Sequence, residues 1–592
     1  MVPRISLRRM RYAEFPIKRF VGFITACLTL TGAMSPVSAQ IPENGSRSQE
    51  SLPSPIEPTL PAPEPLEPEP LPPAVPLQVL PAEETDIRDL AVCPPLAVTP
   101  EPSFIVTEIE VVGSTVLDEA IAAQIDCYLN QPITLSDLLT LRSRITQLYV
   151  EAGYITSGAF LPNNQDLSDG SVQIQVVEGQ VEDIQINGLS RLRSSYLRDR
   201  IARAVDPPLN QAELETGLQL LQLDSRLDQV NAELTAGSAP GLSLLILDVQ
   251  EADPFDLAFA ADNYRAPSIG SEEGTISAGY ANLLGIGDRL SGAFSFSEGL
   301  TLYDVRYEVP INAADGTLQA RFNNSDSRIV EAPFDDIGIR SDTTTVSVGW
   351  RQPLWRSPAE EFALGLDFDL RRSRSFILDD VPFSFSVGPE DGRSQVSVLR
   401  FYQDWVKRDS KRVLAARSQF SVGLDLFDAT VNDSGTDGRF FAWQGQFQWV
   451  EQMSPRLLML ARLNAQLTPD SLLPIERFSI GGIGTVRGYT QNQIVTDNAL
   501  TGSLEFRVPL SNDPNYLQLT PFIEAGTGWN NRTADPDPSF LLGTGLGLRW
   551  QASPEWFARI DFGIPLVNDS RSNDSLQESG LYFFLNFQPQ YF

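Results

Sequence analysis

The chain has 592 residues, a formal net charge of −32 and no histidine. The lack of histidine excludes histidine-dependent catalytic triads, HExxH zinc sites and histidine acid–base chemistry. The acidic balance argues against binding nucleic acid or anionic lipid through bulk charge. After residue 40 no apolar run reaches the roughly 18 residues of a helical span, which excludes a helical membrane bundle but not a barrel of short strands.

The first 39 residues have the pattern of a secretory signal. An apolar stretch at 20–34 is followed by the small-residue cleavage site Val37-Ser38-Ala39. The alternative, a membrane anchor, is disfavoured because the stretch is short and includes threonines. Cleavage would remove a net charge of +5 and leave −37 (−32 − 5). The basic residues before the stretch are Arg4, Arg8, Arg9, Arg11, Lys18 and Arg19.

The exported chain would keep two cysteines, Cys93 and Cys127, because Cys27 leaves with the signal. In an oxidising compartment these two either form a disulfide or remain as unpaired thiols. Residues 40–102 hold 17 prolines and predict an extended, disordered linker with a short helix at 83–90.

Two consecutive units of about 75 residues follow, each with the order β-α-α-β-β. In the first unit we predict strands at 104–112, 154–161 and 172–177, and helices at 117–129 and from Ser136, the expected N-cap, to Gly153. In the second unit we predict strands at 181–186, 230–234 and 242–249, and helices at 196–205 and 212–223. The repeated order indicates a duplicated module.

From residue 254 helical periodicity ends and period-two alternation continues. In residues 301–309, Tyr303 and Val305 lie on one face and Asp304 on the other. A soluble sandwich also alternates, but many stretches here run eight to ten residues, near the length of a tilted spanning strand. One face is apolar and aromatic, and the other carries both charge signs. At roughly 20 residues per strand and loop, the region predicts a transmembrane antiparallel β-barrel of about 16 strands.

The final strand is predicted to end near Phe587. Leu581, Phe583 and Leu585 alternate as a closing strand should, but Pro589 interrupts the ladder. A short tail would then reach Phe592.

The stretch from Glu476 to Tyr489 breaks the alternation and contains four glycines. A phosphate-binding loop is disfavoured, because the Walker lysine spacing is absent and no helix follows. Within the stretch, Val486-Arg487-Gly488-Tyr489 resembles the VRGY loop signature of two-partner secretion transporters, the FhaC/ShlB group, which share a superfamily with BamA.

This resemblance implies that the loop folds back into the barrel lumen, where Arg487 pairs with an acidic residue of a later FxDxG strand motif. The chain offers Phe522-Ile523-Glu524-Ala525-Gly526, in which Glu524 replaces the aspartate and keeps its charge. Alternation places Glu524 in the lumen with Gln518 and Thr520. A guanidinium fork suits a carboxylate in a partly dehydrated channel, although both residues could instead be ordinary members of a lumenal charge network.

The first α/β unit resembles the polypeptide-transport-associated (POTRA) domain of the same group. The resemblance rests on Gly153-Tyr154-Ile155-Thr156-Ser157, preceded by Ile145 to Tyr149 and followed by Leu161-Pro162. It implies POTRA domains at 103–178 and 179–252 and a barrel at 253–592, after a signal at 1–39 and a linker at 40–102. It also implies a disulfide between Cys93 and Cys127.

The resemblance further implies a function: an outer-membrane pore whose periplasmic POTRA domains recognise an unfolded exoprotein and export it without ATP. The implied partner is a haemolysin or adhesin with an N-terminal secretion domain, β-helical once outside. The other implied contacts are outer-membrane lipid and, during biogenesis, the barrel assembly machinery. We expect no enzyme activity, cofactor, metal, nucleic acid or small-molecule substrate.

Two other functions compete with this one. A BamA-type insertase for other barrels is disfavoured by the count of two POTRA modules and by the GYITS pattern. A passive porin is disfavoured by the VRGY loop and by the POTRA modules.

Overall fold

The structure is a computed structural model that describes residues 4–6, 102–163, 165, 169–567 and 575–589. Two consecutive α/β units lead into a closed β-barrel. The rest of the predicted signal, the linker before residue 102 with its predicted helix, Cys93 and Phe592 lie outside the described residues. In the described part of the chain, no helix is long and apolar enough to cross a membrane.

The first α/β unit packs two helices against a three-stranded sheet. In this sheet β3 (Glu108–Val112) runs parallel to the central strand β6 (Ser171–Val177), and β5 (Gly158–Phe160) runs antiparallel to β6 on its other side. The apolar sides of the helices and the sheet enclose one core that includes Ile145, Leu148 and Ile174. After the N-terminal strand β1 (Arg4–Ser6), the elements are β2 (Phe104–Ile105), β3 (Glu108–Val112), α1 (Asp118–Ile125), β4 (Pro132–Ile133), α2 (Leu135–Glu151), β5 (Gly158–Phe160) and β6 (Ser171–Val177).

Two local predictions for this unit are wrong. Helix α2 is capped by Thr134 and not by Ser136, because Thr134 and Asp137 form a capping box. The Asp137 N–H donates to Thr134 Oγ1 at 3.2 Å, and the Thr134 N–H donates to the Asp137 carboxylate at 2.8 Å. The strand predicted at 154–161 shrinks to β5, because residues 154–157 form a turn in which the Ser157 N–H donates to the Tyr154 carbonyl.

The second unit repeats the predicted β-α-α-β-β order. Strand β7 (Gln180–Asn187) runs parallel to β9 (Leu242–Glu251), and β8 (Leu227–Ala236) runs antiparallel to β9. The short strand β1 pairs antiparallel with the outer edge of β8, so the sheet order is β1-β8-β9-β7. A separate core, including Leu197, Leu218 and Leu247, fills the space between helices and sheet. The elements are β7 (Gln180–Asn187), α3 (Ser194–Ile201), α4 (Gln211–Gln222), β8 (Leu227–Ala236) and β9 (Leu242–Glu251).

In each unit a carboxylate at the end of the last strand holds the loop after the first strand. Glu178 accepts hydrogen bonds from the N–H groups of Thr115 and Val116 at 2.7 and 3.3 Å. Glu251 accepts from the N–H groups of residues 190–192 at 2.7 to 2.9 Å. Burial raises the pKa of both carboxyls, but these donors favour the charged form more strongly. The pKa of Glu178 is therefore lowered, and that of Glu251 falls to about 2.

Sixteen antiparallel strands close the barrel, which confirms the predicted fold class and strand number. The strands in chain order are β10 (Phe255–Asp262), β11 (Glu273–Ala281), β12 (Arg289–Phe296), β13 (Leu300–Pro310), β14 (Thr317–Arg328), β15 (Arg340–Arg356), β16 (Glu360–Ile377), β18 (Arg393–Arg408), β19 (Arg412–Leu424), β21 (Phe441–Ser454), β22 (Leu457–Leu467), β26 (Asn498–Pro509), β27 (Leu517–Trp529), β28 (Phe540–Gln551), β29 (Trp556–Pro565) and β30 (Leu581–Phe587). Five short strands lie between them: β17 (Val381–Pro382), β20 (Thr436–Asp437), β23 (Ser471–Leu472), β24 (Phe478–Ile480) and β25 (Ile494–Thr496).

The barrel wall has the two faces that alternation predicts. On β13, Tyr303 and Val305 are 49% and 46% exposed on the outside, whereas the inner Asp304 pairs with Arg321 at 2.7 Å. The closing pair, β10 with β30, runs antiparallel over four residue pairs. Strand β30 ends at Phe587, as predicted from the interruption at Pro589.

The second α/β unit contacts two turns on one side of the barrel. The Arg193 N–H donates to the Gly285 carbonyl at 2.9 Å, in the turn between β11 and β12. Arg226 Nε donates to the Gly287 carbonyl of the same turn at 2.7 Å. Arg200 Nη2 lies 2.8 Å from Asp315 Oδ1, in the turn between β13 and β14. This unit therefore sits against the ends of strands β11 to β14.

We predict that Glu251→Gln destabilises the second unit by about 1–3 kcal/mol, because an amide replaces a buried, charged acceptor. The difference in unfolding free energy between wild type and variant should be constant above about pH 4.3, the ordinary pKa of glutamate. It should shrink as the pH falls towards about 2, the folded-state pKa of Glu251. Calorimetry of the detergent-solubilised protein measures this difference.

Glu182→Gln is the control, because Glu182 bonds the exposed Ser238 turn elsewhere in the same unit. An equal loss of stability in both variants, or a difference independent of pH, would contradict the role assigned to Glu251.

Candidate functional site: a loop held inside the barrel

The residues between β22 and β26, numbers 468–497, form a loop that turns back into the barrel. Strands β24 and β25 of this loop pair antiparallel, so the loop is a hairpin with its tip at 481–493. At the start of the tip, the Gly481 N–H donates to Thr485 Oγ1 at 2.8 Å. The buried side chains of Ile480, Val486 and Tyr489 pack with Leu541 of β28. The tip is thereby fixed to the inner wall.

Arg487 stands at the centre of the tip and binds Glu524 of β27 by three hydrogen bonds. Its Nη2 and Nε lie 2.6 and 3.0 Å from Glu524 Oε1, and its backbone N–H donates to Oε2 at 2.7 Å. The Arg487 and Glu524 side chains are only 3% and 5% exposed. The guanidinium also lies over the Phe522 ring, 3.4 Å from its centre. Charge-assisted, multidentate contacts of this kind fix both position and orientation.

Two further carboxylates, which the sequence did not single out as partners of the loop, complete the arginine pocket. Arg487 Nη1 lies 2.7 Å from Asp561 of β29 and 3.0 Å from Glu505 of β26. Arg559 binds both of these carboxylates, at 2.5 and 3.1 Å, and Arg507 binds Glu505 at 3.2 Å. Three guanidinium groups thus face three carboxylates, so the charges of these six side chains balance.

The sequence pattern indicates that the side chains of Phe522 and Asp561 face the inside of the barrel. Phe522 is a large aromatic side chain at an inward position, where its neighbours Thr520 and Glu524 are polar. Asp561 alternates with the apolar residues Ile560 and Phe562, which predicts that it lies on the inner face. Alternation alone gives no distance between strands, so it did not show that Asp561 reaches Arg487.

Gly488 and Tyr489 hold the tip through backbone contacts. Gly488 has φ +100° and lies so close to β29 that a Cβ would stand 3.0 Å from the Pro565 nitrogen, which is why glycine is required there. Its N–H donates to Tyr582 Oη at 2.9 Å, and Tyr582 Oη donates to the Tyr489 carbonyl at 2.5 Å. The Tyr489 hydroxyl in turn lies 3.0 Å from the Leu542 carbonyl.

The foot of the loop has a second ionic anchor, on strands far from the tip's contacts. Glu476 Oε1 lies 2.7 Å from Arg371 of β16 and 2.9 Å from Arg400 of β18. Arg400 also binds Asp369 of β16 at 2.6 Å. Around this anchor, apolar residues of the foot such as Leu473 pack against the inner wall. The loop therefore bridges two separate sectors of the barrel.

The GYITS residues of the first unit lie where the two α/β units meet. The Gly153 carbonyl accepts from the Gln211 N–H at 2.9 Å, at the start of α4 in the second unit. Ser157 Oγ accepts from the Gly179 N–H at 2.9 Å, and a Cβ on Gly179 would clash with Thr156. Tyr154 packs edge-on against Tyr149, 6.0 Å between ring centres. The motif thus shapes the joint between the units.

Cys127 is disulfide-bonded and buried at the end of the α1 region. Cys93, its predicted partner, lies outside the described residues. The pairing of these two cysteines stays a prediction.

Family models match both parts of the chain. The model described as "Haemolysin secretion/activation protein ShlB/FhaC/HecB" matches residues 241–550, and "POTRA domain, ShlB-type" matches residues 104–179. Outer membrane transporter CdiB of Escherichia coli is 26% identical over 518 residues, covering 83% of this chain and 82% of the relative. Hemolysin transporter protein HpmB of Proteus mirabilis is 24% identical over 463 residues, covering 74% and 78%.

The fold also matches a solved structure. CdiB from Escherichia coli superimposes with a TM-score of 0.63 at 23% identity, over 84% of this chain and 94% of that one.

We predict that Arg487→Ala frees the tip of the loop. Three buried carboxylates would then share two guanidinium groups, an imbalance that costs about 3–5 kcal/mol. Hydrogen exchange of residues 486–490 in the detergent-solubilised protein should rise sharply. Arg306→Ala, at an inner-face position of β13 away from the loop, serves as the control and should leave this exchange slow. Unchanged protection in Arg487→Ala would show that the ionic cluster does not hold the tip.

Proposed function

The chain belongs to the ShlB/FhaC/HecB family of haemolysin secretion/activation proteins, and on this premise we propose that its two α/β units capture an unfolded exoprotein and deliver it to a barrel whose docked loop shapes the channel. The protein is an outer-membrane transporter of the two-partner secretion type, with N-terminal POTRA domains, and it exports a partner exoprotein. The family consists of transporters and not enzymes. Membership in this family argues against a BamA-type insertase. The loop inside the barrel argues against a passive porin.

The loop is the observation that carries the proposal. A passive pore keeps an open lumen, whereas here residues 468–497 cross the lumen and are held at the foot and at the tip by buried ion pairs. The ion pairs and hydrogen bonds of the Arg487 cluster hold the loop against the inner wall. We assign to Arg487 and Glu524 the role of keeping the loop in its working geometry.

The partner is proposed from the family and from the relatives' names. One relative is named a hemolysin transporter, and we propose a large exoprotein of haemolysin or adhesin type. It would carry an N-terminal secretion domain and fold outside as a β-helix, which gives direction without ATP. Outer-membrane lipid around the barrel and the assembly machinery during biogenesis complete the proposed partners.

Capture in the periplasm is proposed to occur at the edge of β8. In the described residues this edge already accepts an extended strand, because Arg4–Ser6 pairs with residues 231–233. Cleavage of the predicted signal removes that strand and leaves the edge unpaired. Backbone pairing at a sheet edge tolerates many amino-acid sequences, which suits the capture of an unfolded exoprotein.

The proposed domain limits are 103–178 and 179–252 for the POTRA domains and 253–592 for the barrel. Each proposed POTRA domain has its own core and its own carboxylate clamp, at Glu178 and Glu251.

We predict that Arg487→Ala strongly lowers secretion of the partner, because the freed loop no longer holds its position in the channel. Arg487→Lys should have an intermediate effect, since lysine keeps the charge but cannot form the bidentate contact. Both variants should reach the membrane as heat-modifiable folded barrels. The amount of exoprotein in the medium, divided by the amount of folded barrel, is the measurement. Secretion by Arg487→Ala at the wild-type rate would refute the role of the pair.

We also predict that a photo-cross-linking residue at Glu233, on the edge strand β8, captures the partner's secretion domain in the periplasm. The same residue at Gln185, on the opposite edge strand β7, is the matched control and should capture much less. Equal adducts from both edges, or adducts only from Gln185, would show that β8 is not the capturing edge.

A further inference from the structure

Six neighbouring strands, β10 to β15, leave the middle of their inner face accessible to solvent, unlike much of the remaining wall, although inner residues near one end, such as Ser295, Ser327 and Ser341, are buried. On the strands that the tip of the loop covers, inner residues such as Thr520, Glu524 and Asp561 are at most 4% exposed. On β12, the inner residues Ser291 and Ala293 are only half-buried. We call the inner face of β10 to β15 the open wall.

We propose that the exported polypeptide crosses the barrel along the open wall while the loop stays docked on its own sector. This inference rests on the export function proposed above and adds the route. The loop's two anchors contact β16, β18, β26, β27 and β29. The open wall is the sector that these anchors leave uncovered.

The chemistry of the open wall suits an unfolded chain in transit. A moving polypeptide needs contacts that are weak and repeated, because a tight site would stop it. The middle of β10, β11 and β12 presents only methyl and hydroxyl groups on its inner face: Ala258, Ala260, Thr275, Ser277, Ser291 and Ala293. Hydroxyl groups exchange hydrogen bonds with passing backbone and water, and small side chains leave room.

Most of the backbone of the open wall is hydrogen-bonded within the sheet, and its central charges are paired, so they offer little to trap the exported chain. Strands β11 to β15 are paired on both sides, whereas β10 is paired with β30 only over residues 259–262. In the middle of β13 and β14, Asp304 is compensated by Arg321 at 2.7 Å and by Asn323 at 3.1 Å. Near the start of β10, Asp256 is compensated by Arg289 at 2.5 Å.

The two ends of the open wall fit this route. At the entry, the second α/β unit is bonded to the turns between β11 and β12 and between β13 and β14. A chain held by that unit therefore reaches the open wall first. At the far end, loops pack together in an apolar cluster that includes Ile269, Ile329 and Ile339.

The test stalls the partner in the barrel by fusing a tightly folded, disulfide-bonded domain to its C-terminal end. Photo-cross-linking residues replace Ser277, Ser291 or Thr345 on the open wall. Matched controls replace Val305, on the outer face of β13, and Thr520, on the loop-covered sector. Heat-modifiability confirms that each variant barrel is folded, and export of the unfused partner into the medium is measured for each before cross-linking.

The expected result is adducts to the stalled partner from Ser277, Ser291 and Thr345 and none from Val305 or Thr520. Adducts from Thr520 with none from the open wall would overturn the route, and so would adducts of equal yield from both sectors. Absence of the partner from the medium in wild type would instead overturn the export function itself, so the two failures are distinguishable.

Discussion

The buried pairing of Arg487 with three carboxylates is the interaction on which the rest of the structure's function depends. A loop of thirty residues inside a water-filled barrel has a large entropic reason to move. Arg487 opposes this motion with contacts to Glu524, Asp561 and Glu505 from three different strands. Because Arg507 and Arg559 supply two more positive charges, the charges of these six side chains balance. Removing any one member leaves an unpaired charge in a site shielded from water.

The second anchor restricts the motion of the loop. With Glu476 bound to Arg371 and Arg400 at its foot, the loop is a strap fixed at two places and not a flap hinged at one. A strap divides the lumen into a covered sector and the open wall. The second α/β unit is attached on the side of the open wall, through Arg193, Arg226 and Arg200. In this account the partner is captured, delivered to the barrel and exported along one side of the molecule.

Much of the fold was predictable, because alternation and helical spacing are local properties of the sequence. The alternation of Tyr303, Asp304 and Val305 distinguishes the outer from the inner face of the barrel without any knowledge of neighbouring strands. The length of the region predicts the number of strands. The errors were local too: Thr134 forms a capping box with Asp137 and displaces Ser136 as the N-cap. The strand predicted from Tyr154 begins only at Gly158, because the intervening residues form a turn and shape the joint with the second unit.

The site was predictable only in part. The VRGY and FxExG motifs singled out Arg487 and Glu524, and the structure places these residues 2.6 Å apart. Asp561, Glu505 and Glu476 come together from strands that are distant in sequence, and no local pattern gives such distances.

The central claim, that the loop stays docked while the partner passes, is tested most directly by locking the loop to the wall. A Cβ on Gly526 would lie 3.2 Å from a methyl group of Val486 and 2.6 Å from one of Ile480, so Val486→Cys with Gly526→Cys brings two thiols together across the contact once the Ile480 side chain shifts. Secretion is measured for this double variant when oxidised and when reduced, with each single variant as control. Our account predicts the same secretion in both states. Secretion that stops on oxidation and returns on reduction would show that the loop must leave the wall, and would contradict the account.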